Sequence, residues 1–186
     1  LLQKHRAFVG WQFGDGKIRS LDMRGTYAPN GKDQPTEVIS TLQVGPIFRQ
    51  TTVRLAGPIS EIGFTGSVFW ASDENGFTRP LFGDEQAFLL SRSVLFEEGA
   101  SELPGTSEPP VTIGGTAYPV VRVTPAHGDA IDLAIDPQTG ALVRGVVDPG
   151  GPYETSYDVF AYEEVAPGLR VISKYRVDGA TIAFSP

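Results

Sequence analysis

Apolar and polar residues alternate with a period of two through most of this chain, broken by turn residues about every 8–12 positions. That pattern confines the chain to antiparallel β-structure with one dry and one wet face. Leu21, Met23 and Tyr27 oppose Asp22, Arg24 and Thr26; Val38, Leu42 and Val44 oppose Glu37, Thr41 and Gln43. Ile47, Val53 and Leu55 share a face that leaves Gln50, Thr52 and Arg54 on the other. Further on, Val120-Val121-Arg122-Val123 leads through Ala126-His127-Gly128-Asp129 into Ile131–Asp136. Pro137-Gln138-Thr139-Gly140 then turns into Ala141–Arg144, with Gly140 where a positive φ is needed. Tyr153–Tyr162 and Leu169–Val177 form a last hairpin around Ala166-Pro167-Gly168. The pattern describes a meander.

Two segments read differently. Residues 1–13 place Leu1, His5, Phe8 and Trp11 near one stripe, with Leu2, Val9 and Phe13 beside it, which predicts an amphipathic helix ended by Gly14-Asp15-Gly16. From Asp84 to Glu98 a second helix is expected: Asp84 caps, Glu85 suits the N-terminal dipole, and Ala87, Leu90 and Val94 share a face flanked by Phe88 and Leu95. Gly99 supplies its stop, and Glu97 and Glu98 sit badly with the macrodipole. The fold class that results is α+β, mainly antiparallel β. Residues 98–110, rich in Pro, Gly and Ser and without periodicity, read as an exposed loop inside one domain rather than as a boundary.

With 186 residues the chain is long enough for one domain with its own core. Its formal net charge of -7 repels phosphate backbones and anionic headgroups, so nucleic acid is not expected as a partner. Cysteine is absent, which excludes disulfides and thiolate chemistry. The chain starts at Leu1-Leu2 and stops at Pro186 directly after a strand-like Thr181–Phe184, and reads as a fragment, residues 1–186, of a longer protein.

Catalytic signatures are missing. The two histidines, His5 and His127, lie on a helix and in a turn with no metal-ligand spacing, and no metal or cofactor is expected. Asp132 and Asp136 share a strand face about 13 Å apart, too far for a carboxylate pair. There is no G-x-S-x-G elbow, no phosphate-binding loop and no Asp-Thr/Ser-Gly pair, so no enzyme activity is expected. What stands out is aromatic: Phe64, Phe69, Trp70, Phe77 and Phe82 crowd beside the predicted Phe88 helix, as core or as the lining of a ligand site.

The run Gly63-Phe64-Thr65-Gly66-Ser67-Val68-Phe69-Trp70-Ala71-Ser72-Asp73-Glu74-Asn75-Gly76 resembles a Gly-Phe-Asp-Gly…Trp…Asp…Gly stretch of bacterial exported proteins. In those proteins a domain similar to the lipoprotein carriers LolA and LolB precedes a retropepsin-like aspartic peptidase domain. Lys4–Gly10, Leu21–Gly25, Tyr118–Pro125 and Asp136–Gly140 fit the same order; Thr65 replaces the usual Asp. The resemblance implies an incomplete antiparallel half-barrel with helices on its concave side, a periplasmic or cell-envelope location, and a cavity for acyl chains. It carries over no catalytic residue.

On this reading the chain is a non-enzymatic binding module for a lipid, a lipoprotein acyl chain or another hydrophobic ligand. Enclosing a few hundred Å² of acyl chain contributes roughly 5–10 kcal/mol before entropy costs. Strand parity and helix face nominate Met23, Leu42, Val53, Phe69, Trp70, Phe88 and Val121 as its lining. The alternative is an accessory domain that docks on a peptidase domain and binds no small molecule. Contact with membrane components would be peripheral, since no apolar run reaches the ~20 residues of a spanning helix.

Overall fold

The computed structural model describes residues 1–12, 15–29, 37–44, 47–54, 59–96 and 102–185, with the side chains at 37–38, 40, 42–44, 47–54, 59 and 185 left aside. In chain order the elements are α1 (Leu2–Val9), β1 (Ser20–Ala28), β2 (Glu37–Val44), β3 (Ile47–Arg54), β4 (Ile59–Phe64), β5 (Phe69–Ser72), β6 (Thr78–Pro80) and α2 (Asp84–Phe96). Then follow β7 (Gly105–Ile113), β8 (Thr116–Val123), β9 (Ile131–Ile135), β10 (Leu142–Val147), β11 (Thr155–Ala166), β12 (Leu169–Val177) and β13 (Ala180–Ser185).

All thirteen strands form one sheet in the order β6-β5-β4-β3-β2-β1-β13-β12-β11-β10-β9-β8-β7. Two meanders therefore meet at a seam, where β1 pairs antiparallel with β13 from Arg24↔Ser185 to Ala28↔Thr181. The sheet is open: β6 and β7 are its two edges. Since α2 lies between those edge strands in the chain, it has to cross the sheet, and it does so over β10. This is the open antiparallel architecture with two helices that the alternation and the resemblance lead one to expect.

The pairing register carries one face through the whole sheet. Leu133 pairs with Val121 and Gly145, Tyr157 with Gly145 and Val177, Ile182 with Tyr175 and Tyr27, and Ile39 with Gly25. Directly paired residues share a face, and this inner face holds the main core of Ile39, Leu95, Val123, Ile131, Leu133, Ile135, Tyr157, Tyr175 and Ile182, all buried. On the outer face the same register lines up Arg144, Asp158 and Arg176. Asp158 accepts hydrogen bonds from Arg144 at 2.6 Å and Arg176 at 2.8 Å.

The structure departs from the sequence reading in four places. Helix α1 ends at Val9 rather than at Gly14, because Gly10 takes a left-handed φ of 82° and returns its N–H to the Arg6 carbonyl; a Cβ there would lie 2.0 Å from the Gly168 carbonyl oxygen. Position 14 itself lies outside the described residues. The expected loop 98–110 contains the first six residues of β7, Gly105 to Pro110. Pro109 and Pro110 hide that strand from a propensity reading, yet they sit at a register shift on an edge strand, where no ladder bond is lost. In β2 Ile39 and Thr41 are buried, a parity the sequence reading assigns to the wet face; the side chains of the expected Val38, Leu42 and Val44 lie outside those described. Strand β11 runs on to Ala166 through three register shifts, which the turn at 166–168 alone does not announce. The expected stop at Gly99 and the position of Leu55 lie outside the described residues.

Candidate hydrophobic binding face

The candidate site is the inner face of the sheet, divided by the way the two helices cover it. Over β8–β12 it is filled by the protein itself. Leu95 is buried within the main core, and a Cβ on Gly145 would come within 2.7 Å of its methyl carbons, so glycine at 145 lets α2 lie close to β10. Phe96 packs edge-on against Tyr157 at 5.4 Å and tilted against Tyr175 at 4.8 Å. Burial, only partly opposed by the Arg92 cation, pushes the Tyr157 phenol up to about 12, so the ring remains neutral among its aromatic neighbours. Polar ties accompany this packing: Ser91 Oγ donates to the Asp129 carbonyl at 2.9 Å, and the Arg92 guanidinium hydrogen-bonds Tyr175.

At the seam a second, smaller cluster forms around Val9, Trp11 and Val171, with Phe8, Ile18, Leu21, Met23, Tyr162 and Leu169 against it. There α1 and Trp11 pack against residues of β1, β11 and β12. The Trp11 indole N–H donates to the Arg170 carbonyl at 2.6 Å, and the Arg170 guanidinium donates to the Phe8 carbonyl at 2.6 Å while lying 5.1 Å from the Phe8 ring centre. His5, buried on α1, donates from Nδ1 to the Gly140 carbonyl at 2.8 Å. Asp15 ties down the connection to β1 by accepting from the backbone N–H groups of Gln12 and Lys17 at 3.0 and 2.9 Å. Burial alone would raise the Asp15 pKa, but these bonds and the nearby Lys17 and Arg6 hold it below the usual carboxylate range.

Beside this cluster, a groove of about 390 Å³ lies between Gly16–Leu21 and the β11–β12 turn, lined by Lys17, Arg19, Leu21, Val165, Ala166 and Leu169 among others. None of the seven nominated residues lines it, although Met23 packs against the adjoining cluster. No signal in the sequence pointed there, because the groove is lined by two segments far apart in the chain, Gly16–Leu21 and the β11–β12 turn.

The register divides the nominated residues. Phe69 pairs with Phe64 on the inner face and stacks on it at 4.3 Å. Met23 pairs with Thr41, and Val121 with Leu133; Val121 and Phe88 pack against the main core. Trp70, next to Phe69 in one strand, has the opposite parity, as do positions 42, paired with Asp22, and 53, paired with Val38 and Ile59. The seven therefore do not share one wall: alternate residues of a strand point to opposite faces. The side chains of Leu42 and Val53 lie outside those described. Among the described residues no group of three His, Asp or Glu is placed to hold a metal ion, and no helix is long and apolar enough to cross a membrane.

No family model matches the chain, and no curated protein does. Among solved structures it is similar to a domain from Vibrio parahaemolyticus described as an outer membrane lipoprotein-sorting protein domain, with a TM-score of 0.58, 9% identity, and coverage of 99% of this chain and 88% of that one. The two share a fold over nearly the whole chain.

Proposed function

We propose that this chain is a non-enzymatic, cell-envelope binding module that shelters a hydrophobic ligand, a lipid or a lipoprotein acyl chain, on the inner face of its sheet. The observation that carries this reading is the way α2 crosses that face, held mainly by side-chain hydrocarbon and aromatic rings. Contacts of that kind are non-directional, so an acyl chain can replace them like for like. The similarity to a lipoprotein-sorting domain supports the same reading and, with it, a periplasmic location. Met23, Phe69, Phe88 and Val121 are the nominated residues that share the face, and they are proposed to contact the guest. Saturable binding of a fluorescent fatty acid by the folded chain is expected, weakened several-fold by Phe88→Ala and Met23→Ala and untouched by Phe77→Ser. Absence of saturable binding would overturn the reading.

A second reading, an accessory domain docking on a peptidase domain, draws on the exposure of Phe77 and Phe82, 78% and 68% accessible, on either side of β6. On that reading a Phe77→Ser/Phe82→Ser double variant loses association with such a domain while its own stability is unchanged.

A further inference from the structure

Under the C-terminal turn of α2 the apolar inner face carries two phenols and a guanidinium. Tyr157 pairs with Val177, and Tyr175 with Val159, so the two tyrosines are diagonal neighbours on one face of β11 and β12. Their ring centres are 6.1 Å apart and both side chains are buried. Arg92 reaches them from the helix. Its guanidinium lies 5.9 Å from the centre of the Phe96 ring, one helical turn further on, and Phe96 packs on Tyr157 and Tyr175 at 5.4 and 4.8 Å. The same cation hydrogen-bonds Tyr175, and its charge also acts on Tyr157. A guanidinium only donates, so in that bond the Tyr175 oxygen accepts and its own O–H is directed elsewhere. The Tyr157 phenol, neutral because it is buried, is a donor as well. The Asp178 charge reaches Tyr157 too and works against an added anion.

We propose that Arg92, Tyr157 and Tyr175 form a head-group site: a lipid with an anionic head, carboxylate or phosphate, lays its acyl chain in place of the hydrocarbon contacts of α2, and its head oxygens accept from the Arg92 guanidinium and the two phenols. The inference rests on the reading that the inner face shelters a lipid, and it chooses among the guests. A cation beside two neutral O–H groups at the margin of hydrocarbon is the donor set an oxyanion needs, and charge-assisted bonds of this kind are the strong ones. An acyl chain joined to a polypeptide through an ester or an amide ends in no anion and gains nothing from Arg92. When the lipid enters, the direct Arg92–Tyr175 bond gives way to bonds that share the anion. The polar link between α2 and the sheet is then kept while the apolar contacts are exchanged.

The test uses the whole chain with cis-parinaric acid and with its methyl ester, which share one fluorescent tail, above neutral pH where the acid is ionised. The acid is expected to bind about tenfold or more tightly than the ester. Arg92→Gln should bring the acid down to the affinity of the ester and leave the ester unchanged. Tyr157→Phe and Tyr175→Phe, which remove an O–H and keep the ring, should each weaken the acid several-fold with the ester unmoved. Excess inorganic phosphate should not displace the acid; displacement would overturn the lipid as the source of the anion. Equal affinity for acid and ester, or equal weakening of both by Arg92→Gln, would overturn the head-group site while leaving the sheltering function in place. Failure of both probes to bind would overturn that function and the site with it.

Discussion

The two helices lie on one sheet and are held with different shares of apolar packing and directed bonds. Helix α2 rests on apolar packing through Leu95, Phe96, Phe88 and Val94, with the Ser91–Asp129 bond as a polar tie. Around α1 directed bonds are added to its apolar contacts: His5 to the Gly140 carbonyl, the Lys4 ammonium to the Pro137 carbonyl, and the Arg170 guanidinium to the Phe8 carbonyl. Such bonds specify position because each has one acceptor in one place, whereas hydrocarbon packing tolerates substitution of its partner. A greasy guest can compete with α2, but it offers nothing to the carbonyls that anchor α1. On the proposed function, this difference gives α1 the setting of register and α2 the yielding to a guest.

The sharpest way to break this comparison is at its two buried anchors. Trp11→Ala removes a fully buried ring together with its bond to Arg170 and is expected to cost about 3–5 kcal/mol in urea unfolding. Leu95→Ala in the α2 contact should cost about 2–5 kcal/mol, yet leave fatty-acid binding intact or stronger, because it enlarges the space under the helix. If Leu95→Ala abolished binding without unfolding the chain, α2 would be fixed scaffold like α1.

Glycine substitutions sharpen the same contrast at smaller amplitude. Gly140 has a φ of 88°, and its added Cβ would lie 2.6 Å from the Lys4 carbonyl oxygen, which is backbone of α1. At Gly145 the clash is with the Leu95 methyls, the movable end of a side chain. Gly140→Ala is expected to lose about 1–3 kcal/mol, and Gly145→Ala less, with the difference readable in parallel thermal melts. His5→Ala, which leaves the Gly140 carbonyl without its donor, should cost about 1–3 kcal/mol.

The smallest effects are electrostatic and run in opposite directions. Burial would raise the Asp158 pKa, but the hydrogen bonds from Arg144 and Arg176 outweigh it and hold the carboxyl below the usual range. Its stabilising contribution is thus present at neutral pH and is lost as pH falls below about 4, through its folded-state pKa. Asp129 goes the other way: burial first, then the Asp148 and Asp84 charges, raise its pKa. It opposes folding when ionised and ceases to do so as pH falls. Unfolding curves from pH 7 to 3 should show Asp158→Asn flattening the acid loss and Asp129→Asn stabilising slightly at neutral pH.

Residues that carry their own message were readable in advance. Gly140 in Asp136-Pro137-Gln138-Thr139-Gly140 has the positive φ its turn required, and the Asp136 carboxylate accepts from the Gln138 N–H at 2.7 Å. The Asp84 helix and most strands follow from periodicity. What escaped depends on partners distant in sequence. Ile39 and Thr41 are buried because of the register with Gly25 and Met23, which local alternation in a strand with apolar residues on both parities cannot choose. The anchoring of α1 was invisible because its acceptors at Pro137, Gly140 and Phe8 are carbonyls, which every residue possesses. The groove at the seam belongs to no motif; its lining comes from two segments about 150 residues apart, Gly16–Leu21 and Val165–Leu169.

Both outermost ribbons of the sheet bear proline, Pro80 in β6 and Pro109-Pro110 in β7. A ring nitrogen cannot donate, so neither margin offers a continuous run of hydrogen-bond donors to a neighbouring molecule. An unclosed sheet of thirteen ribbons would otherwise be a template for growth into fibres. With proline at both margins, the chain can keep its sheet unrolled while resisting the polymerisation that such openness invites.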